Sequence, residues 1–297
     1  MKPVFKKPLS VAYLGPDGTF SHQAAQQVFD FTSHFQPFSQ IQDVFKTIKE
    51  EKSDFGIVPI ENSTQGTISL VLDLMFQESQ NRKLKKDALT LYGEVTIPII
   101  HNLVGHPGTK TGDIRKVYAH PQALAQCRLW LERFCPGVVL DSSALSNVEA
   151  ILKIAPHQNA AAIAPAKAAL DHGHVLLAKA IQDISSNKTR FWILSKHPPE
   201  LARKYKTSLV FFCHDKPGAL LDVLKIFKSH GINLTKIESR PSRKKNWEYY
   251  FFVDFFGHEN DPNILKALKA IKKKTLYWGV LGSYPLIKVL RPKIPPS

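Results

Sequence analysis

Val11-Ala12-Tyr13-Leu14-Gly15-Pro16-Asp17-Gly18-Thr19-Phe20-Ser21 is the stretch on which the fold turns. Four apolar residues in a row predict a short buried strand, and Gly15-Pro16-Asp17-Gly18 predicts a sharp turn at its end. A helix is expected next, with Ser21 as its cap and Ala24, Ala25, Val28 and Phe29 recurring at helical spacing. The same order repeats downstream. Asp43 to Glu51 carries Val44, Phe45 and Ile48 on one helical face, and Phe55 to Ile60 is another buried strand, ending at polar Glu61-Asn62-Ser63-Thr64. Alternation of strand, loop and helix signals an α/β architecture.

The middle of the chain continues in this mode. Leu91 to Ile100 reads as a strand, with Asn102 to Gly105 as its extension. A helix begins at His120-Pro121-Gln122, Ala160 to Ala164 is a compact strand, Lys167 to His172 a short helix, and Phe191 to Leu194 a clear strand. Proline-rich Ser195-Lys196-His197-Pro198-Pro199-Glu200 then reads as a connector. Beyond it come a strand at Leu209–Cys213 and a helix carrying Leu220, Val223, Leu224 and Phe227 that ends at Gly231. Strands at Ile232–Ile237 and Glu248–Phe256, joined through Lys244-Lys245-Asn246, precede a lysine-rich helix opened by Asp261-Pro262 and a last strand at Leu276–Gly282. The order β-α-β-β-α-β is the ferredoxin-like unit. The expected division is residues 10–195, a linker at 196–206, and a second domain at 207–290.

Composition narrows the possibilities. The 297 residues are 43% hydrophobic and 22% charged, which suits a soluble globular protein, and no apolar run approaches the roughly 18 residues that span a bilayer. The first ten residues carry three lysines without the apolar centre of an export signal, and read as a frayed basic terminus. Cys127, Cys135 and Cys213 are too scattered for a metal or redox pair, so buried free thiols in a reducing cytoplasm are expected. The net charge of +15 raises nucleic-acid binding, but residues 196–297 hold 20 Lys+Arg against 8 Asp+Glu, while residues 1–195 hold 20 against 17. The excess sits in runs such as Arg243-Lys244-Lys245 and Lys272-Lys273-Lys274, at a turn and a helix end, without any nucleic-acid-reading motif. A solvated basic surface explains it, with no nucleic acid and no membrane as partner.

Gly105-His-Pro-Gly-Thr-Lys-Thr111 imitates a phosphate loop, but two residues separate its glycines where that motif needs four. A Gly-x-Ser-x-Gly elbow and a His-Glu-x-x-His helix are both missing from the sequence. The remaining candidates are polar loops after buried strands, where α/β sheets place ligands. These are Thr19 and Ser21 at a helix start, Glu61-Asn62-Ser63, Ser142-Ser143, and Thr189-Arg190. Each has a plain structural alternative as a cap or turn residue.

Taken together, Gly15-Pro-Asp-Gly-Thr-Phe-Ser21, Val58-Pro-Ile-Glu-Asn-Ser63, His120-Pro-Gln-Ala-Leu-Ala-Gln126 and Asn187-Lys-Thr-Arg-Phe191 resemble the ordered signatures of prephenate dehydratases. The following segment resembles an ACT domain, with Gly218-Ala219-Leu220 and Glu238-Ser239-Arg240-Pro241 matching its two phenylalanine-site motifs. Ala119 stands where the family usually has Ser, and Ser142-Ser143-Ala144 where it has Ser-Thr-Ala. The resemblance implies a two-lobed, periplasmic-binding-protein-like catalytic domain followed by the ferredoxin-like ACT module. It also implies decarboxylating dehydration of prephenate to phenylpyruvate without a cofactor or metal, and feedback by L-phenylalanine in a homodimer or homotetramer.

Arogenate dehydratase and a non-catalytic bilobal sensor are the rival readings. With about ten residues ahead of the first strand, the preceding reaction of the route is expected from another chain. By resemblance Thr189 serves the leaving hydroxyl, and Thr19, Ser21, Glu61, Asn62, Ser63, Gln122, Ser143 and Phe191 line the substrate site. Arg190 is either a carboxylate clamp or a structural ion-pair partner, and His120 either a general acid or a helix cap. Gly218, Ala219, Leu220, Asn233, Leu234, Glu238, Ser239 and Arg240 are expected around phenylalanine.

Overall fold

The computed structural model describes residues 8–84, 88–199, 202–242 and 249–287. The run Arg243-Lys244-Lys245 with its turn, the first seven residues, Glu200, Glu248 and residues 288–290 lie outside the described residues.

The opening stretch folds as β1 (Ser10–Leu14) and α1 (Phe20–Val28). The helix cap is Thr19, not Ser21: the Thr19 hydroxyl accepts from the His22 amide at 3.4 Å, and Ser21 lies buried in the first turn. Then follow β2 (His34–Phe38), α2 (Ile41–Lys49), β3 (Phe55–Asn62), β4 (Gly66–Thr67), α3 (Ser69–Lys83) and β5 (Thr90–Pro98). The chain next crosses into a second lobe. That lobe comprises β6 (Asn102–Gly105), β7 (Lys116–Tyr118), α4 (Pro121–Gln126), α5 (Arg128–Phe134), β8 (Val139–Asp141), α6 (Asn147–Ile154), β9 (Ala160–Ala164), α7 (Ala166–Asp171) and β10 (Val175–Ala178). It returns through β11 (Lys188–Ser195), which lies antiparallel between β3 and β5. The last module is β12 (Tyr205–Cys213), α8 (Ala219–Ser229), β13 (Leu234–Pro241), β14 (Tyr249–Phe256), α9 (Pro262–Lys274) and β15 (Thr275–Ile287).

Two features depart from the sequence expectation. Asn102–Gly105 does not extend β5; it is β6, paired with β9 and β10 in a separate five-stranded sheet ordered β10-β6-β9-β7-β8. Among the described residues the other sheet has ten strands, ordered β13-β14-β12-β15-β5-β11-β3-β1-β2, with β4 paired to β3. One sheet therefore runs from the first lobe into the last module, because the end of the 13-residue β15 pairs with β5 through Leu286 and Glu94.

Side-chain alternation explains how that module is held. Leu209, Phe211, Val253 and Phe255 pack against Val223, Phe227, Leu268 and Ile271 of its own helices. Val210, Tyr250 and Phe252, from the intervening positions, share a core with Val71, Leu72, Met75 and Phe76 of α3. The Tyr250 and Phe76 rings lie 3.9 Å apart between centroids. Arg82 of α3 donates to the Val280 carbonyl at 2.8 Å, and the Ser79 and Tyr277 hydroxyls meet at 2.7 Å. The last module is thus one wall of the first lobe's core.

Candidate active site

A cleft of about 460 Å³ lies where the lobes face each other, next to both crossings between them. Helix starts dominate its lining. Thr19, Phe20 and Ser21 belong to the start of α1, Ile41 opens α2, Ile68 precedes α3, His120 caps α4, and Ser146 and Asn147 begin α6. Among the described lining residues there is no Asp, Glu, Lys or Arg. An anion in this cleft meets helix N-termini and amide donors, whose partial positive charge suits carboxylates.

A bulge aims the strand residues. Thr189 of β11 sits opposite Asn62, Arg190 opposite Glu61, and Phe191 opposite Pro59, so Ile60 is the extra residue of β3. In a regular strand Asn62 and Pro59, three apart, would face opposite sides. Here both line the cleft with Thr189 and Phe191. The Asn62 Oδ1 accepts from the Thr64 and Gln65 amides at 3.0 and 3.2 Å, which orients its Nδ2. That nitrogen donates to Thr189 Oγ1 and to Asn187 Oδ1, both at 2.9 Å.

Arg190 faces the other side of the sheet. It pairs with Glu61 and Glu94 at 3.1 Å each and with Asp254 of β14 at 2.8 Å. Burial opposes its charge, but Glu94 and Asp254 outweigh this and hold the guanidinium firmly protonated. Of the two roles open to it, the structure supports the ion-pair partner, because alternation along β11 turns it away from the cleft. Glu61 is likewise committed, to Arg190 and to Lys236 at 3.2 Å, and does not line the cleft.

Two serines also fall outside the cleft lining. Ser63 accepts from the Lys188 amide at 3.0 Å. Ser143 is exposed, bonded to Asp141 at 2.5 Å and to Lys153 at 2.9 Å, and the lining comes from Leu145, Ser146 and Asn147 instead. Thr19, Ser21, Asn62, His120, Gln122, Thr189 and Phe191 are brought together in the cleft. His120 also caps α4, its Nδ1 accepting from the Gln122 amide at 3.2 Å, and burial lowers its pKa from the ordinary histidine value.

Sequence reasoning passed over several polar residues here, including Gln65, Thr67, Ser146 and Asn147 of the lining. Gln126 and His101 line the cleft, and Asn187 joins Asn62 to Gln126. Gln126 and Asn187 stand inside the quoted motifs, so a reading of the motifs as hydrogen-bonding units would have found them. His101 lies in an apolar stretch with no local signal.

In the last module Gly218 has φ +82° at the start of α8, and beyond its chain neighbours no atom of the described residues lies within 4 Å of where a Cβ would stand. Its conformation requires glycine; no crowding does. A hollow of about 160 Å³ beside it is lined by Ala219, Leu220, Phe212, Tyr249 and others, but by none of residues 233–240. Asn233 is exposed, Leu234 packs into the module core, and Ser239 is exposed. Glu238 and Arg240 instead reach the first lobe, Glu238 accepting from Thr67 at 2.9 Å and Arg240 pairing with Asp73 at 3.1 Å. The two expected effector motifs do not converge within one subunit.

All three cysteines are buried free thiols, and burial, with Asp183 nearby, pushes Cys127 up to about 12. Among the described residues no helix is long and apolar enough to cross a membrane.

Comparison with known proteins gives a consistent picture. The sequence matches the prephenate dehydratase family over residues 11–199 and the ACT domain over residues 207–273. It is 43% identical over 281 residues to a bifunctional chorismate mutase/prephenate dehydratase of Aquifex aeolicus, covering 94% of this chain and 74% of that protein. It is 34% identical over 303 residues to arogenate dehydratase 1 of Petunia hybrida, covering 96% and 68%. The crystal structure of a prephenate dehydratase from Arthrobacter aurescens in complex with L-Phe superposes with a TM-score of 0.81 at 30% identity, covering 94% and 92% of the chains.

Proposed function

The chain belongs to the prephenate dehydratase family and carries an ACT domain, and on that premise we propose that it converts prephenate to phenylpyruvate under feedback by L-phenylalanine. The observation that carries the mechanism is the Thr189 hydroxyl. Its oxygen accepts from an Asn62 amide whose orientation is set by two backbone N–H groups, which leaves its own proton to be donated into the cleft.

Dehydration breaks two bonds. The bond between the ring and its carboxylate releases carbon dioxide and leaves its electron pair to the ring. The ring then expels hydroxide from the opposite carbon and becomes aromatic. Thr189 donates a hydrogen bond to that oxygen as negative charge develops on it, which lowers the barrier without full ionisation of a weak acid. Both substrate carboxylates are received by helix N-termini and amides, because charged side chains do not line the cleft among the described residues.

The same observation bears on the choice of substrate. Arogenate carries an ammonium group where prephenate has a keto oxygen, and an ammonium calls for a carboxylate partner. None lines the cleft among the described residues, which favours the keto acid. L-phenylalanine is assigned to the hollow beside Gly218, completed by the ACT domain of a second subunit in a dimer or tetramer, and the reduced thiols favour a cytosolic setting. Incubating the purified protein with each compound tests the reading. Phenylpyruvate from prephenate is expected; faster formation of phenylalanine from arogenate would reverse the preference, and no product from either would leave a sensor.

A further inference from the structure

We propose that His101 is a positioning residue for the dehydration, acting as a neutral imidazole that donates from Nε2 to Gln126 and so holds that amide toward the cleft. The inference rests on the dehydratase reading of the same cleft.

The argument follows hydrogen-bond direction outward from a fixed point. Two backbone amides donate to Asn62 Oδ1, so Asn62 Nδ2 must be the donor to Asn187 Oδ1. Asn187 Nδ2 is then the donor at 3.1 Å to Gln126 Oε1. The Gln126 oxygen therefore faces His101 Nε2 at 2.8 Å, and that ring nitrogen must carry a hydrogen. The other ring nitrogen, Nδ1, is buried with no hydrogen-bond partner among the described residues. A proton there would meet no acceptor, so the neutral Nε2–H tautomer is the one the site admits. With its oxygen held from two sides, Gln126 presents its amide N–H groups to Thr64 Oγ1 at 3.2 Å and to the cleft.

The imidazole is itself fixed. His101 is 3% exposed and lies between β5 and β6, on the first crossing between the lobes. Its amide donates to the Gln182 side chain at 3.0 Å and its carbonyl accepts from the Ile181 amide at 2.8 Å, both on the returning crossing. Phe20 of α1 meets the ring edge-on at 5.6 Å. Burial lowers its pKa, opposed by the Gln126 bond, and no charged group adds to the shift. His120 is the other titratable group lining the cleft among the described residues.

Three variants and one spectrum test the proposal. Glutamine carries a donor at about the reach of Nε2, asparagine at that of Nδ1, and leucine none. H101L and H101N are expected to lose roughly tenfold to a hundredfold in kcat. H101Q is expected to recover most of that loss. Melting curves confirm that each variant is folded. An H101L enzyme with wild-type kcat, or a folded H101Q as slow as H101L, would overturn the assignment. Long-range nitrogen–proton NMR on the wild-type ring should show Nε2 protonated and Nδ1 bare at pH 7. The opposite tautomer, or an imidazolium, would refute it whatever the substrate. Absence of turnover by the wild type on either compound would sink the dehydratase reading alone.

Discussion

Thr189 and Arg190 are neighbours in the chain and strangers in the fold. Thr189 accepts from Asn62 in the cleft, so T189A should cost about tenfold to a thousandfold in kcat, and T189S, which keeps a hydroxyl, much less; steady-state kinetics decide. Arg190 compensates Glu94 and Asp254, whose side chains are 6% and 4% exposed. Removing it leaves two buried carboxylates to one cation, Lys206, at 3.0 Å from Glu94 and 4.0 Å from Asp254, so R190A should lower stability by about 2–3 kcal/mol in denaturant titration, while R190K leaves the Michaelis constant for prephenate nearly unchanged. The family motifs made both residues visible in the sequence. Which way each pointed was not, because the carboxylates that claim Arg190 come from strands far away in the chain, and the bulge at Ile60 has no local signature. Ser143 misled for a similar reason, since its Asp141 and Lys153 partners fit a solvent-facing turn as well as a pocket wall.

Whole elements were legible where one face is uniformly apolar. Six alternating elements of the last module follow from periodicity, as do β1, β3 and β9. Helix α3 did not, because its buried face includes Glu78 and Ser79, which blur the helical repeat. Glu78 is tolerated there because Lys49 pairs with it at 2.9 Å and the Leu89 amide donates to it at 3.0 Å. β5 and β6 merged in the sequence because an apolar run does not reveal that the chain changes sheets within it. The contact between β13 and β4 carries the functional weight at this scale. Lys236 Nζ donates to Thr67 Oγ1 at 2.6 Å and pairs with Glu61, and Thr67 lines the cleft. An effector that moves β13 would therefore move the cleft wall. K236M should raise the phenylalanine concentration for half-inhibition by roughly fivefold or more, read from turnover against phenylalanine.

For the molecule as a whole, burial lowers the pKa of His22, His101, His120 and His174 below the ordinary 6.5. Above about pH 8 these rings are uncharged in both folded and unfolded chains. As pH falls below about 6.5 the unfolded chain binds protons that the folded one refuses, so stability falls. Calorimetry should show a lower Tm at pH 5 than at pH 7, and an unchanged Tm would contradict these environments. The ferredoxin-like unit could be read from the order of elements, and the two lobes were what the family resemblance implied; the fusion of the first lobe and the last module into one sheet could not be read, since the pairing of Leu286 with Glu94 depends on the final docking. That fusion limits how the enzyme can be altered. The proline-rich connector invites a cut, yet a truncated chain would leave β5 as a bare rim ready to join other molecules, and α3 stripped of its cover. Release from feedback is therefore open to single side-chain exchanges and closed to deletion of the sensor.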